Sequence, residues 1–126
     1  MREIKFRAQN GSEWRCGDLL KGKTDDPLCY IRYSDEDGDT IARSVRPETV
    51  GQYTGLKDKN GVEIYEGDVL LDGWDKSQQR VAPVNFFFGT FTTDFCEADN
   101  RYSRMTDSEV VGNIYENPEL LEPRNV

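Results

Sequence analysis

The sequence predicts a mainly β chain, a β-rich α+β fold with little helix, and three observations carry that expectation. Charged and apolar residues alternate in REIKFRA, residues 2–8, the period of a strand with one buried face. Short runs rich in β-branched and aromatic residues are separated by turn-forming clusters at Gln9–Ser12, Ser34–Asp39 and Asn60–Gly61. Finally, 6 Phe, 6 Tyr and 2 Trp give a chain that is only 36% hydrophobic enough large rings to build a core.

Each element follows in order. Ile4, Phe6 and Ala8 form the inner face of a first strand, and EWRCGDLL returns antiparallel to it after the turn at Gln9–Ser12. LCYIRY and TIARSV flank an Asp-rich turn and read as a second hairpin. Asp35, Asp37 and Asp39 resemble the start of a calcium loop, but Thr40 and Arg46 stand where that loop needs Gly and Glu, so a solvated turn is favoured. Pro47 breaks the strand, and ETVGQYTGL resumes it, with Gly51 and Gly55 marking a bend or tight packing around Tyr53. Asn60–Gly61 turns the chain into VEIYEGDVLL, where Val62, Ile64 and Tyr65 pack and Gly67–Asp68 interrupts the alternation, as at a bulge or sheet corner. DGWDKSQQR is a polar loop in which Trp74 is a lid on the core or an exposed anchor. Gly89 divides VAPVNFFFGTFTTDF into two strands; Phe86, Phe87 and Phe88 cannot all face inward, so at least one must be covered by another lobe, a second subunit or a ligand. CEADNRYSRMTD reads as loop, SEVVGNIYEN as a closing strand and NPELLEP as a short helical turn begun by Asn117 and Pro118.

At 126 residues one compact unit is expected, with an N-terminal β lobe over 1–48 and a second β lobe over 49–126. The formal charge of -8 disfavours general nucleic-acid binding, although residues 1–23 hold six bases (Arg2, Lys5, Arg7, Arg15, Lys21, Lys23) against three acids. No run is apolar for long enough to span a membrane, and the expected setting is soluble and cytoplasmic. Cys16, Cys29 and Cys96 are read as reduced, mostly buried small apolar residues, without a disulfide or zinc framework.

There is no histidine, which removes the Ser-His-Asp and Cys-His systems and the commonest zinc-ligand sets. No phosphate-loop or dinucleotide fingerprint occurs, so no cofactor or metal is expected. Glu63, Glu66 and Asp68 lie close in sequence, but turn and surface roles are favoured over acid–base catalysis, with Asp68 set to accept backbone N–H groups.

MREIKFRAQ, VGQYTGLKDKNGVEIYEGDVL and VVGNIYENPELL look like the signatures of a known family, in the same order: the chain resembles the YopX family of phage and prophage proteins. Gln9 departs from the aromatic residue that many relatives carry there. The resemblance implies a phage-encoded or prophage-encoded oligomer with an SH3-like, barrel-type C-terminal lobe, and it transfers no catalytic residue. Gly51, Tyr53, Gly55, Asn60, Gly61, Tyr65, Gly67 and Asp68 belong to its central motif and are read as structural. The leading functional expectation is a non-enzymatic module that binds itself or a host or phage protein through Trp74, Phe86, Phe87 and Phe88. The alternative is nucleic-acid binding by a basic face of Arg2, Lys5, Arg7 and Arg15. A carboxylate-only enzyme ranks last.

Overall fold

The structure, a computed structural model, describes residues 3–22, 28–87, 89–97 and 99–122. Arg2 and Phe88 lie outside the described residues. Among the described residues the chain is mainly β, with eleven strands and one short α-helix. It forms two compact units, residues 1–53 and 54–126.

In the first unit, β1 (Phe6–Asn10) pairs antiparallel with β2 (Glu13–Lys21), Asn10 opposite Glu13. The turn therefore begins at Gly11, two residues later than the sequence suggested, and Gln9 is a buried strand residue. Ile4, expected on the inner face, precedes the strand and is exposed. β3 (Cys29–Ser34) and β4 (Thr40–Val45) extend the sheet as the expected second hairpin. One Asp35 oxygen accepts the N–H groups of Asp37 and Asp39 at 3.0 and 2.8 Å, so this acid organises its own turn.

Ala8, Ile31 and Val45 form the buried face of this sheet, with Phe6, Leu19, Cys29, Tyr33 and Val50 packed against them. Cys16 stands opposite Arg7, outside that face, and is exposed, contrary to the buried thiol expected. A 3-10 turn at Pro47–Thr49 interrupts the chain where extended backbone was expected from Glu48. The fully buried Thr49 locks that turn to β1: its Oγ1 accepts the Gln9 N–H at 2.9 Å and donates to the Arg46 carbonyl at 2.7 Å. The first residues of β5 (Gly51–Lys57) pair with β1.

The second unit takes up the remainder of β5 and adds β6 (Glu63–Tyr65), β7 (Asp68–Leu71), β8 (Val81–Pro83), β9 (Asn85–Phe87), β10 (Thr90–Thr92), α1 (Arg101–Thr106) and β11 (Glu109–Asn113). β7 lies between β11 and β8, while among the described residues β9 pairs only with β10. These strands do not close a barrel, because the chain leaves one sheet for another at the β6–β7 corner and β9 joins a separate two-stranded ribbon. The corner turns on Gly67, whose φ of 93° is open to glycine and strained for other residues. Gly67 donates to Val84 O and accepts from Ile114 N, both at 2.9 Å, and Asp68 Oδ2 accepts the Tyr65 N–H at 2.8 Å.

Ile64, Leu70, Ala82, Val84, Phe91, Phe95 and Met105 form the second core. Met105 comes from α1, in a stretch read as loop. One and a half turns with a single buried apolar residue leave too little periodicity to read from sequence. Val62, expected to pack, is exposed at the mouth of the Asn60–Gly61 turn. The C-terminal helical turn is a 3-10 turn at Pro118–Leu121.

Candidate functional site

The second unit carries two adjacent features in sequence that differ in chemistry: an apolar ribbon and a polar loop. In the ribbon, Phe86 pairs with Phe91 and Phe87 with Thr90, so alternation sends the two phenyl rings to opposite faces. Phe86 rests edge-on against the buried Phe91, their ring centroids 5.0 Å apart at 62°, yet it remains 54% exposed. Phe87, on the other face with Asn85 and Thr92, is 60% exposed. A strand of three exposed residues containing two Phe is an apolar surface in water.

The loop runs from Asp72 to Arg80 and is closed at its base by the Asp72 N–H to Arg80 O bond of 2.9 Å. Asp72 is buried and holds the loop to α1. Its Oδ2 accepts from Arg104 Nη2 at 2.6 Å, and its Oδ1 accepts from Arg104 Nε at 3.3 Å and from the Trp74 N–H at 2.9 Å. Burial pushes this carboxyl up, but the Arg104 hydrogen bonds and charge and the Trp74 N–H outweigh it, leaving Asp72 below the ordinary aspartate range. Arg104 is correspondingly raised, chiefly by its hydrogen bond to Asp72. Gly73 passes so close to α1 that a Cβ there would collide with the Asp107 carbonyl.

Trp74 is 46% exposed, with its Nε1 donating to Asp107 Oδ2 at 2.8 Å and the Arg104 guanidinium 5.2 Å from its ring. It is thus anchored at one edge and open at a face. Trp74 and the two phenylalanines belong to different elements, the 72–80 loop and β9. Tyr102 on α1, 69% exposed, is a further aromatic that sequence reasoning missed together with its helix.

The basic residues of the first unit are distributed over two faces. Arg7 stands opposite Cys16 and Arg15 opposite Ala8, adjacent positions of alternating orientation. Three of these bases each lie over a ring: Lys5 is 5.1 Å from Tyr53, Arg7 4.8 Å from Trp14 and Arg15 5.3 Å from Tyr33, with Arg15 also paired to Glu13.

Three acids of the central motif, Asp58, Glu63 and Asp68, make structural bonds. Glu63 accepts from the Tyr65 hydroxyl at 3.2 Å, and Asp68 holds the corner. Asp58, buried and missed from sequence, accepts N–H groups from Asn60, Val62 and Val110 at 2.8 to 2.9 Å. Among the described residues no three His, Cys, Asp or Glu side chains gather as a metal site, and no helix is long and apolar enough to cross a membrane. Burial raises the Cys96 thiol, so it is held as the protonated form.

Comparison with known proteins matches the YopX protein family over residues 5–122. Protein EF1440 from Enterococcus faecalis has a solved structure similar to this chain, with TM-score 0.62 and 28% identity, covering 97% of this chain and 100% of that one. Protein yopX from Bacillus subtilis is similar in fold, with TM-score 0.55 and 20% identity over 99% of this chain and 100% of its own. No match is found among curated proteins.

Proposed function

The chain belongs to the YopX family, and on that premise we propose that it is a non-enzymatic, phage-encoded or prophage-encoded accessory protein that works in the host cytoplasm by binding protein. A second copy of itself is the first partner of that kind. The observation that carries this reading is the β9–β10 ribbon. Residues 81–93 contain no charged side chain, in a chain of formal charge -8, and present Phe86 and Phe87 to water. Strand edges facing solvent are ordinarily guarded by charge or proline, and β9 has neither. A like-charged copy meets the least repulsion at such a stretch.

The non-enzymatic part of the reading is supported by the employment of three motif carboxylates and one beyond the motif, since Asp58, Glu63 and Asp68, and then Asp72, each bond to groups of their own fold. Sedimentation velocity on the wild type and on Phe86→Ser/Phe87→Ser tests the proposal, with circular dichroism checking that both fold. Burying a phenyl ring contributes about 1.5 to 3 kcal/mol, so the double variant should need at least about tenfold more protein to associate. A wild type that stays monomeric at all concentrations, or a double variant that associates equally well, would refute self-assembly through this ribbon.

A further inference from the structure

We infer that the second copy binds by strand addition: β9 of one copy pairs antiparallel with β9 of the other, about a two-fold axis between the two Phe86 residues. This rests on the reading of the ribbon as a self-binding surface and adds the geometry of the contact.

The ladder of the ribbon shows which backbone groups are on offer. Only two residues separate Phe87 from Thr90, so this closing pair exchanges both ladder bonds, and the next pair, Phe86 with Phe91, exchanges none. The Phe86 N–H and carbonyl therefore point away from β10, to the outer edge of β9. Among the described residues no backbone group meets them there. The cause lies at the Gly67 corner. β7 and its corner accompany the preceding chain as far as Val84, whose N–H donates to Asp68 O at 2.8 Å and whose carbonyl accepts from the Gly67 N–H at 2.9 Å. Beyond Gly67 the neighbouring chain belongs to β6, in another sheet, and the edge of β9 is left uncovered. All three residues of β9 are exposed, whereas those of β10 are half-buried or buried, so β9 is the outer strand of the ribbon.

Unpaired strand groups are satisfied by another open strand, and a second copy brings an identical one. With the axis at Phe86, the two Phe86 residues become a hydrogen-bonded pair that exchanges both N–H···O bonds, and Asn85 of each copy stands opposite Phe87 of the other. Alternation then sets Phe91 and Phe86 of one copy in a single row with Phe86 and Phe91 of the other, on one face of the joined sheet. Phe86 already lies edge-on against Phe91 at 5.0 Å, and the second Phe86 covers its open side. No charge enters the contact, because residues 81–93 carry none. Pairing stops at Asn85, since the backbone of Val84 is already bonded to the corner. So short a contact belongs with small, transient interfaces, and a Kd of about 1 μM or weaker is expected.

The test is NMR on the full chain, with isotope-labelled and unlabelled copies mixed at high concentration. In this pairing the α-protons of Asn85 and Phe87 of different copies face each other at a non-hydrogen-bonded position, and an intermolecular NOE between them is expected. The Phe86 amide should exchange with deuterium about tenfold more slowly when about nine-tenths of the copies are paired than in dilute solution, because exchange then waits for the free copy. Association that Phe86→Ser/Phe87→Ser weakens, but without that NOE and without slower exchange at Phe86, would overturn strand addition and leave the phenyl rings alone as the self-binding surface. A chain that stays monomeric at every concentration would overturn both readings.

Discussion

Asp72 has the most to lose from a single change, because its side chain is fully buried and three donors converge on it. Asp72→Asn would leave the largely buried Arg104 charge without its partner, at a cost of about 3 kcal/mol, the usual consequence of breaking a buried ion pair from one side. The pair also sets an acid limit. Its carboxyl lies below the ordinary aspartate range in the folded protein, so its stabilising contribution is complete above the unfolded value of about 3.9 and is lost as pH falls through the lower folded value. Urea titrations at pH 7 and at pH 3 should therefore show a smaller loss on acidification in Asp72→Asn than in the wild type. Equal acid losses in both proteins would place the acid sensitivity in other carboxylates.

At the scale of elements, legibility followed the density of local signals. The second hairpin and the closing strand were readable because turn residues bracket runs of strand period, and β3, β4 and β11 fall where those signals put them. The role of Gly67–Asp68 was likewise legible as a corner, since glycine followed by a short acid has few other uses inside an apolar run. Three things were not. The first turn lies later than its polar residues suggest because Gln9 and Asn10 continue β1, the buried Gln9 donating its N–H to Thr49 and accepting from Arg46, partners 37 or more residues away. α1 is too short to show a period. The Asp72–Arg104 pair joins residues 32 apart whose types are common in this chain, so nothing local announced it. The corner offers its own test. Gly67→Ala must hold a Cβ at φ 93° against the Tyr115 ring, 3.2 Å away, and should cost about 1 to 2 kcal/mol from backbone conformation alone. Chemical denaturation would measure it, and a neutral result would mean that the corner can relax.

For the whole molecule the deciding quantity is charge. Twenty-four acids against sixteen bases give -8, so two copies repel at long range whichever surfaces meet. If the contact itself is the uncharged ribbon, salt removes only the repulsion: the screening length falls from about 10 Å at 0.1 M to about 3 Å at 1 M, and association should strengthen across that range. Partners held by the first unit's bases have the opposite sign. Phosphate contacts through Lys5, Arg7 and Arg15 would exchange with counterions, and binding to nucleic acid would weaken steeply with salt. The direction of the salt effect thus separates the two surfaces without any mutation. Sedimentation velocity at low and high sodium chloride should give a self-association Kd that falls as salt rises. A Kd that rises instead would mean that copies meet through complementary charges, and would move the interface from Phe86 and Phe87 to the basic residues around Trp14 and Tyr33.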